Sequence, residues 1–343
     1  MFNQVKNQEF KLDSGVKNRI IDIENAILFL DYLNHFIVNA PTRRVMSFGT
    51  VGLAYNTIRT YKSLYRVVGE FQKFSKQKLY LHTIDRGVAE QFTRFLKFEK
   101  KYSDNYAGQQ IKLLKVILRD AEKCGHVVHP FSGYIESFKQ KSSDRIIHVL
   151  TPEEIFRIKK TEQSGQGILK YKDSFKWLLI GLSIGQRVSD LLNLSPSNIR
   201  KASFGLYIDI TQQKTKKSVT VGVVDPRVIE ILEDEFPKEV SQVQFNKEIK
   251  AICKQAGIKE KVSGYKNNPK SKRKELKVAP KFEFVTSHIM RRSFATNYYG
   301  KIETPLLMNI TGHTKESTFL TYIGTNQNKD ALADLFVQKL RAI

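Results

Sequence analysis

Four short segments in the second half of the chain carry residue types suited to chemistry on a phosphate. The first is Gly185-Gln186-Arg187-Val188-Ser189-Asp190-Leu191-Leu192, where Arg187 begins a short helix after an apolar one. An Arg held there is stiff, charged at every useful pH and able to grip two phosphate oxygens at once. Asp190, three residues on, is spaced to orient it, and the same spacing also serves an ordinary structural Arg–Asp pair. The second segment is Gln212-Gln213-Lys214-Thr215-Lys216-Lys217, whose lysines lie in a turn that can swing over a reacting phosphate or simply stay solvated. The third, Thr286-Ser287-His288-Ile289-Met290-Arg291-Arg292, puts His288 and Arg291 on one helix face. With Thr286 or Ser287 as N-cap, that face begins at the positive end of the helix dipole, where an oxyanion is favoured. The fourth runs from Thr311-Gly312-His313-Thr314 to Thr321-Tyr322. Thr314 is expected to cap a new helix with Tyr322 near its far end.

The charge of the chain indicates what such residues would act on. Lys and Arg number 57 against 34 Asp and Glu, a formal net charge of +23 over 343 residues, with a pI near 9.8. That excess suits a polyanion, whose phosphates Lys and Arg neutralise with release of condensed counterions. Both halves of the chain are basic, so the charge is no detachable tail. With 41% hydrophobic and 27% charged residues the composition is that of a globular protein. The polar stretch MFNQVKNQEFKLDSG lacks the apolar core of a secretory signal. The apolar run Trp177–Leu182 is far shorter than the roughly 20 residues that span a bilayer. Two cysteines, Cys124 and Cys253, build neither a disulfide framework nor a cysteine-based zinc site. The expectation is a cytoplasmic, nucleoid-associated protein with no membrane contact.

These residues need a scaffold. Ile20, Ile23, Ala26, Ile27, Leu30 and Leu33 recur at helical spacing. Ile58, Tyr61, Leu64, Tyr65, Val68 and Phe71 predict a second helix; Val88, Phe92, Phe95 and Leu96 a third. Tyr106, Ile111, Leu114, Val116, Leu118 and Ala121 predict a fourth, ending near Gly125. Arg59, Lys62, Arg66, Arg94, Lys112 and Lys115 occupy the other faces, a dense basic surface for one small helical unit. QKSSDR at 140–145 reads as a linker. Thr151-Pro152-Glu153-Glu154 then starts a helix, with Thr at the N-cap and Pro at N1. Further helices are expected at about 171–184, 226–235, 241–256, 287–298, 303–311, 315–323 and 328–340. A hairpin of 205–211 with 218–224 lies among them, and Lys261–Lys281 reads as a basic loop with a short strand pair at its end.

Taken together, the order Arg, Lys, His-x-x-Arg, Gly-His, Tyr resembles the tyrosine recombinase, or phage integrase, family. The residues that carry the likeness are GQRVSDLLNL, SHIMRRSFATNYY and ITGHTKESTFLTYI. Tyr322 follows His313 by nine residues, the family's own spacing. The match covers 148–343 in detail, and the helical unit before it resembles the family's core-binding domain. Two departures are Ile184, where many relatives have a small polar residue, and Arg292, where many have His.

The resemblance implies a mainly α architecture: an all-α, SAM-like core-binding domain and an α+β catalytic domain with a small β-hairpin sheet, closing as a C-shaped clamp on DNA. The expected divisions are a lead segment with one helix at 1–45, the core-binding domain at 46–140, a linker at 141–147 and the catalytic domain at 148–343. A separate arm-binding domain before the core-binding one is expected to be absent or rudimentary. Tyr322 would attack a scissile phosphate to give a 3′-phosphotyrosyl enzyme and a free 5′-hydroxyl, with no cofactor and no metal. Arg187 and Arg291 would hold the nonbridging oxygens. Lys214 would protonate the leaving 5′-oxygen, with Lys216 and Lys217 as rivals in the same turn. His288 would act as base or proton relay, His313 would hydrogen-bond the phosphate, and Asp190 would support Arg187. Arg292 joins the candidate DNA-binding residues. The partners implied are double-stranded recombination sites, three further copies forming a homotetramer on two duplexes with a Holliday junction intermediate, and accessory DNA-bending proteins. Integration or excision of a mobile element is the leading role. The alternatives are an Xer-like chromosome or plasmid resolvase, a type IB topoisomerase, and a catalytically idle DNA-binding protein on this fold. The terminal helix, through Leu332, Leu335, Phe336 and Leu340, would pack into a neighbouring copy or onto its own domain.

Overall fold

The computed structural model describes residues 26–45, 50–140, 146–163, 168–269, 271, 273–323 and 329–341. The chain divides into two compact units, residues 1–140 and 141–343.

Among its described residues the first unit has four α-helices: α1 (Phe29–Val38), α2 (Tyr55–Ser75), α3 (Arg86–Arg94) and α4 (Asp104–Lys123), with a minimal strand pair β1 (Arg44–Val45) and β2 (Thr50–Val51). Helix α1 begins later than its expected apolar stripe. Leu28 bridges Tyr80, Phe29 N–H donates to the Leu79 carbonyl at 2.9 Å, and Leu81 N–H donates to the Ile27 carbonyl at 3.0 Å. That pairing holds residues 27–28 extended, and the helix buries Phe29, Tyr32, Leu33 and Phe36 instead. Ile20 and Ile23 lie outside the described residues. Helices α2 and α4 form where their periodicity predicts, with the stripe slightly rotated. Tyr65 and Val116 face out, while Val67, Leu113 and Ile117 complete the core. Asp85 caps α3 by accepting from Val88 N–H at 2.8 Å. A π-turn at Phe95–Glu99 follows and buries the successive Phe95 and Leu96 together.

The second unit opens with α5 (Pro152–Gln163), started by a reciprocal capping box. Thr151 N–H donates to Glu154 Oε2 at 2.8 Å, and Glu154 N–H to Thr151 Oγ1 at 3.3 Å. Helix α6 (Lys172–Ile184) is apolar on most sides and runs through the core, burying Phe175, Trp177, Leu178, Leu179 and Ile180. Its one buried cation, Lys176, pairs with Glu235 at 2.8 Å. After the short α7 (Val188–Leu191) comes an antiparallel sheet of β3 (Ile199–Ala202), β4 (Gly205–Thr211) and β5 (Ser218–Val223), in that order. Strand β3 escapes sequence reading because it has four residues, neither of the central two buried.

Helices α8 (Pro226–Glu233) and α9 (Gln242–Gln255) follow, then a second hairpin of β6 (Lys261–Asn267) and β7 (Lys274–Pro280). Here the basic loop expected from sequence is corrected. The strands pair over seven positions each, from Lys261↔Pro280 to Asn267↔Lys274. Lysines mask their alternation, and only one face packs, where Gly264 lies under the Phe284 ring. Helices α10 (His288–Tyr298), α11 (Thr304–Thr311) and α12 (Glu316–Ile323) complete the scaffold. Phe294, Ala295, Leu307, Phe319 and Ile323 form a small core of their own. Helix α13 (Lys329–Arg341) exposes Phe336, Val337 and Leu340. No helix among the described residues is long and apolar enough to cross a membrane.

Candidate active site

Arg187 is placed by the way α6 ends. Gly185 takes φ +63°, the left-handed conformation that glycine adopts without steric cost. A Cβ there would also run into the Phe294 ring. The chain turns back, and Arg187 becomes the residue before α7, with its carbonyl accepting from Asp190 and Leu191 N–H at 2.9 and 2.8 Å. Leu191 anchors the turn in the core. The guanidinium donates from Nη1 to Gln212 Oε1 at 2.9 Å and lies 3.9 Å from Asp190 Oδ2.

The turn between β4 and β5 is closed by Gln212 N–H to the Lys217 carbonyl at 2.9 Å and Lys216 N–H to the Gln212 carbonyl at 2.8 Å. Lys216 has φ +54°. Asp190 Oδ1 reaches into this turn and accepts from Gln213 N–H at 2.9 Å. The charge of Lys214 bears on His288.

His288 is the first residue of α10, and Ser287 stands at the N-cap without a side-chain cap bond. Ser287 is thus the expected N-cap residue, and its N–H donates to Asn246 Oδ1 at 2.7 Å. Arg291 is 1% exposed. Its Nη1 donates to the Gly185 carbonyl at 3.2 Å and its Nη2 to the Thr311 carbonyl, which ties α10 to the ends of α6 and α11. Arg292 sets its guanidinium 5.3 Å from the centre of the Tyr322 ring, its Nε buried and without a hydrogen-bond partner among the described residues.

Helix α11 ends at Gly312, again left-handed at φ +63°, where a Cβ would collide with the Gln212 carboxamide. His313 follows, with Nδ1 2.9 Å from Thr311 Oγ1. Helix α12 starts at Glu316, so Lys315 rather than Thr314 directly precedes it. Tyr322, near its end, is ringed by His288, edge-on at 5.2 Å between centroids, His313 at 5.1 Å, and Arg291 with its Cζ 5.9 Å from the ring centre. The phenolic oxygen is buried and, among the described residues, makes no hydrogen bond of ordinary geometry, the Arg291 guanidinium being the donor nearest to serving it.

The electrostatics follow from packing cations around few anions. Burial, then Arg292, Arg291, Arg187 and Lys214, hold His288 down to about 4. Burial, Arg291, Arg187 and His288 do the same to His313, also to about 4. Both rings are neutral at pH 7. Burial and Arg187 pull Arg291 to about 10, which leaves it cationic at neutral pH. Burial raises the Tyr322 phenol, against the opposing fields of Arg291, Arg292 and Arg187. The result is a cluster of cations packed around two neutral imidazoles and the Tyr322 phenol.

The structure therefore brings Arg187, Asp190, Lys214, His288, Arg291, His313 and Tyr322 to one place. Of the expected DNA-binding residues, Arg59, Lys62, Arg66, Arg94 and Lys112 are exposed on the first unit, Arg66 near Glu70 at 3.4 Å. Lys115 is spoken for: its Nζ donates to the Ile135 carbonyl at 2.6 Å. Arg292 sits against Tyr322. Sequence reading missed Gln186 and Gln212, both fully buried and bonded to each other at 3.0 Å. The signal was present, since Gln212 continues the inward parity of Leu206, Ile208 and Ile210. Among the described residues no cluster of three or more His, Cys, Asp and Glu is arranged to hold a metal ion.

The phage integrase SAM-like domain model matches residues 28–135, and the phage integrase family model matches residues 148–329. No curated protein matches the chain. Among solved structures, a lambda integrase dimer bound to a COC′ core site is similar over 91% of this chain and 83% of that one, with TM-score 0.62 and 17% identity. A lambda integrase tetramer bound to a Holliday junction covers 89% and 84%, with TM-score 0.59 and 15% identity. XerH site-specific recombinase, in a post-cleavage complex with palindromic difH substrate, covers 89% and 93%, with TM-score 0.59 and 16% identity. At these identities the likeness is one of fold. The family models span both units and include all the segments that gather around Tyr322, and on that basis the chain belongs to the phage integrase family of tyrosine recombinases.

Proposed function

We propose that the chain is a site-specific DNA recombinase that cuts and rejoins strands through a 3′-phosphotyrosyl intermediate on Tyr322. The observation that carries this reading is the buried Tyr322 hydroxyl, set beside two neutral imidazoles and the guanidinium of Arg291 and, among the described residues, without a hydrogen bond of ordinary geometry. A phenol in that setting is costly unless an anion arrives to use it.

In the forward step the Tyr322 oxygen forms its bond to phosphorus while the bond to the 5′-oxygen breaks. The phenolic proton passes to neutral His288. Lys214 gives a proton to the departing 5′-oxygen. Arg187 and Arg291 take the charge on the nonbridging oxygens as it builds. His313, whose Nδ1 lies 2.9 Å from Thr311 Oγ1, is assigned the hydrogen bond to the phosphate. Asp190 steadies Arg187 and the lysine turn. The phosphodiester energy is kept in the tyrosyl ester, so a second strand's 5′-hydroxyl can reverse the step without nucleotide cofactor or metal.

Double-stranded DNA is the partner, with Arg59, Lys62, Arg66, Arg94 and Lys112 neutralising backbone phosphates. Four copies act on two duplexes through a Holliday junction, in support of which stands the fold likeness to a protein solved as a tetramer on such a junction. The exposed Phe336, Val337 and Leu340 of α13 supply an apolar face for a neighbouring copy. Integration or excision of a mobile element is the role assigned, with accessory DNA-bending proteins as helpers. Supercoiled plasmids carrying DNA that flanks the gene test it. Sequenced products joining two sites are expected from wild type and absent from Tyr322→Phe. Relaxation of every plasmid without joined products would point to a topoisomerase instead.

A further inference from the structure

Gln212 occupies a place where strand periodicity calls for an apolar side chain. It is 0% exposed, directly after the buried Leu206, Ile208 and Ile210 of β4. Its carboxamide is saturated. Oε1 accepts from Arg187 Nη1 at 2.9 Å and from Thr215 Oγ1 at 2.7 Å. Nε2 donates to Gln186 Oε1 at 3.0 Å and, more weakly, to the Ile310 carbonyl at 3.4 Å. Gln186 Nε2 donates to the same Ile310 carbonyl at 2.8 Å. The two glutamines thus join the arginine segment, the lysine turn and the end of α11. A satisfied buried amide adds little stability over an apolar residue of like shape, so stability alone does not account for it.

Its bonds do. Lys214 lies between Gln213, whose N–H is held by Asp190 Oδ1 of the arginine segment at 2.9 Å, and Thr215, whose hydroxyl is held by Gln212 Oε1, the same oxygen that accepts from Arg187. Lys216 and Lys217 lie beyond that clasp. We propose that Gln212 is a positioning residue for Lys214, its one oxygen fixing the turn that carries this ammonium against the Arg187 guanidinium. The proposal rests on the strand-cleavage reading above and gives it a means of aligning the proton donor with the phosphate grip.

The test uses the full chain on a nicked duplex whose scissile phosphate has been located by covalent trapping, made with either oxygen or sulfur as the 5′ leaving atom. A thiolate departs without a proton, so sulfur bypasses the general acid. Lys214→Ala is expected to slow cleavage of the oxygen duplex about 10²–10⁴-fold and to cleave the sulfur duplex at nearly the wild-type rate. Gln212→Met should lose about 10²-fold on oxygen and regain about 10-fold or more of it on sulfur, the remainder reflecting Arg187. Thr215→Val, at an exposed position that leaves the core intact, should lose about 10-fold on oxygen and recover on sulfur; it decides the matter if Gln212→Met does not fold. Wild-type rates on oxygen for Thr215→Val, or equal losses on both duplexes for either variant, would overturn the proposal. Wild type that binds the duplex but cleaves neither version would overturn the cleavage reading itself, a separate result.

Discussion

The Tyr322 ring stands edge-on to His288, 5.2 Å between centroids, and the histidine that faces it is neutral. A neutral imidazole beside a phenol whose own proton is held more tightly by burial has the free ring nitrogen that the proposed proton transfer requires. The surrounding cations keep it neutral, and they are also the groups that would bind the anion.

That arrangement has a pH signature in the free protein. His288 and His313 are lowered to about 4 from an ordinary 6.5, so the folded state favours the neutral form of each. Their contribution to stability is complete above about pH 6.5 and falls as pH drops through the window toward 4, where the unfolded chain binds protons first. NMR titration should show both rings unprotonated down to about pH 5, and His313→Gln should lessen the loss of melting temperature on acidification. Midpoints near 6.5 for both rings would contradict the packing described. Bound DNA, by adding negative charge, should raise both values.

The turn lysines should separate by readout. Lys214→Ala is expected to cost about 10²–10⁴-fold in cleavage rate at unchanged DNA affinity. Lys216→Ala and Lys217→Ala should leave the rate of the bound complex as it is. A rate loss confined to Lys216→Ala would move the proton donor to that residue.

Gly312 and Gly125 provide a matched pair for stability. Both have positive φ, +63° and +85°, but a Cβ at Gly125 meets nothing within 4 Å, whereas at Gly312 it meets the Gln212 carboxamide. Gly125→Ala should cost about 1–2 kcal/mol from backbone strain. Gly312→Ala should cost about 2–4 kcal/mol, adding overpacking to that strain. Equal costs in denaturant titrations would show that Gln212 is free to move aside.

Lys62 and Lys115 should behave differently toward DNA. Lys62 is exposed, and Lys62→Ala is expected to lower the slope of log affinity against log salt by about 1, at little cost in stability. Lys115 is tethered to the Ile135 carbonyl, so Lys115→Ala should cost about 1 kcal/mol of stability and leave the slope unchanged. Identical slopes for Lys62→Ala and wild type would remove Lys62 from the DNA-contacting set.

Helices with one apolar stripe and a sequence-local cap were legible in advance: α5 from Thr151 and Glu154, and α6 from its near-continuous apolar run. Elements set by distant partners were not. Residues 27–28 are held extended by a pairing with residues 79–81, and no local pattern announces it. β6 and β7 hide among lysines because only one face packs. The catalytic-type residues stood out because Arg, Lys, His and Tyr at these spacings carry a chemical meaning. Gln186 and Gln212 did not, because a buried amide is recognised only when its partners are seen. Lys115 likewise has a partner, the Ile135 carbonyl, that no local pattern announces.

The central claim is that Tyr322 becomes covalently joined to DNA. End-labelled, nicked duplexes tiled from DNA flanking the gene, incubated with wild type and Tyr322→Phe and run on a denaturing gel, test it directly. A labelled protein band from wild type alone, with the nucleotide mapped by mass spectrometry to Tyr322, is the predicted result. Tight binding of a fragment with no covalent band, or a band that persists in Tyr322→Phe, would contradict it.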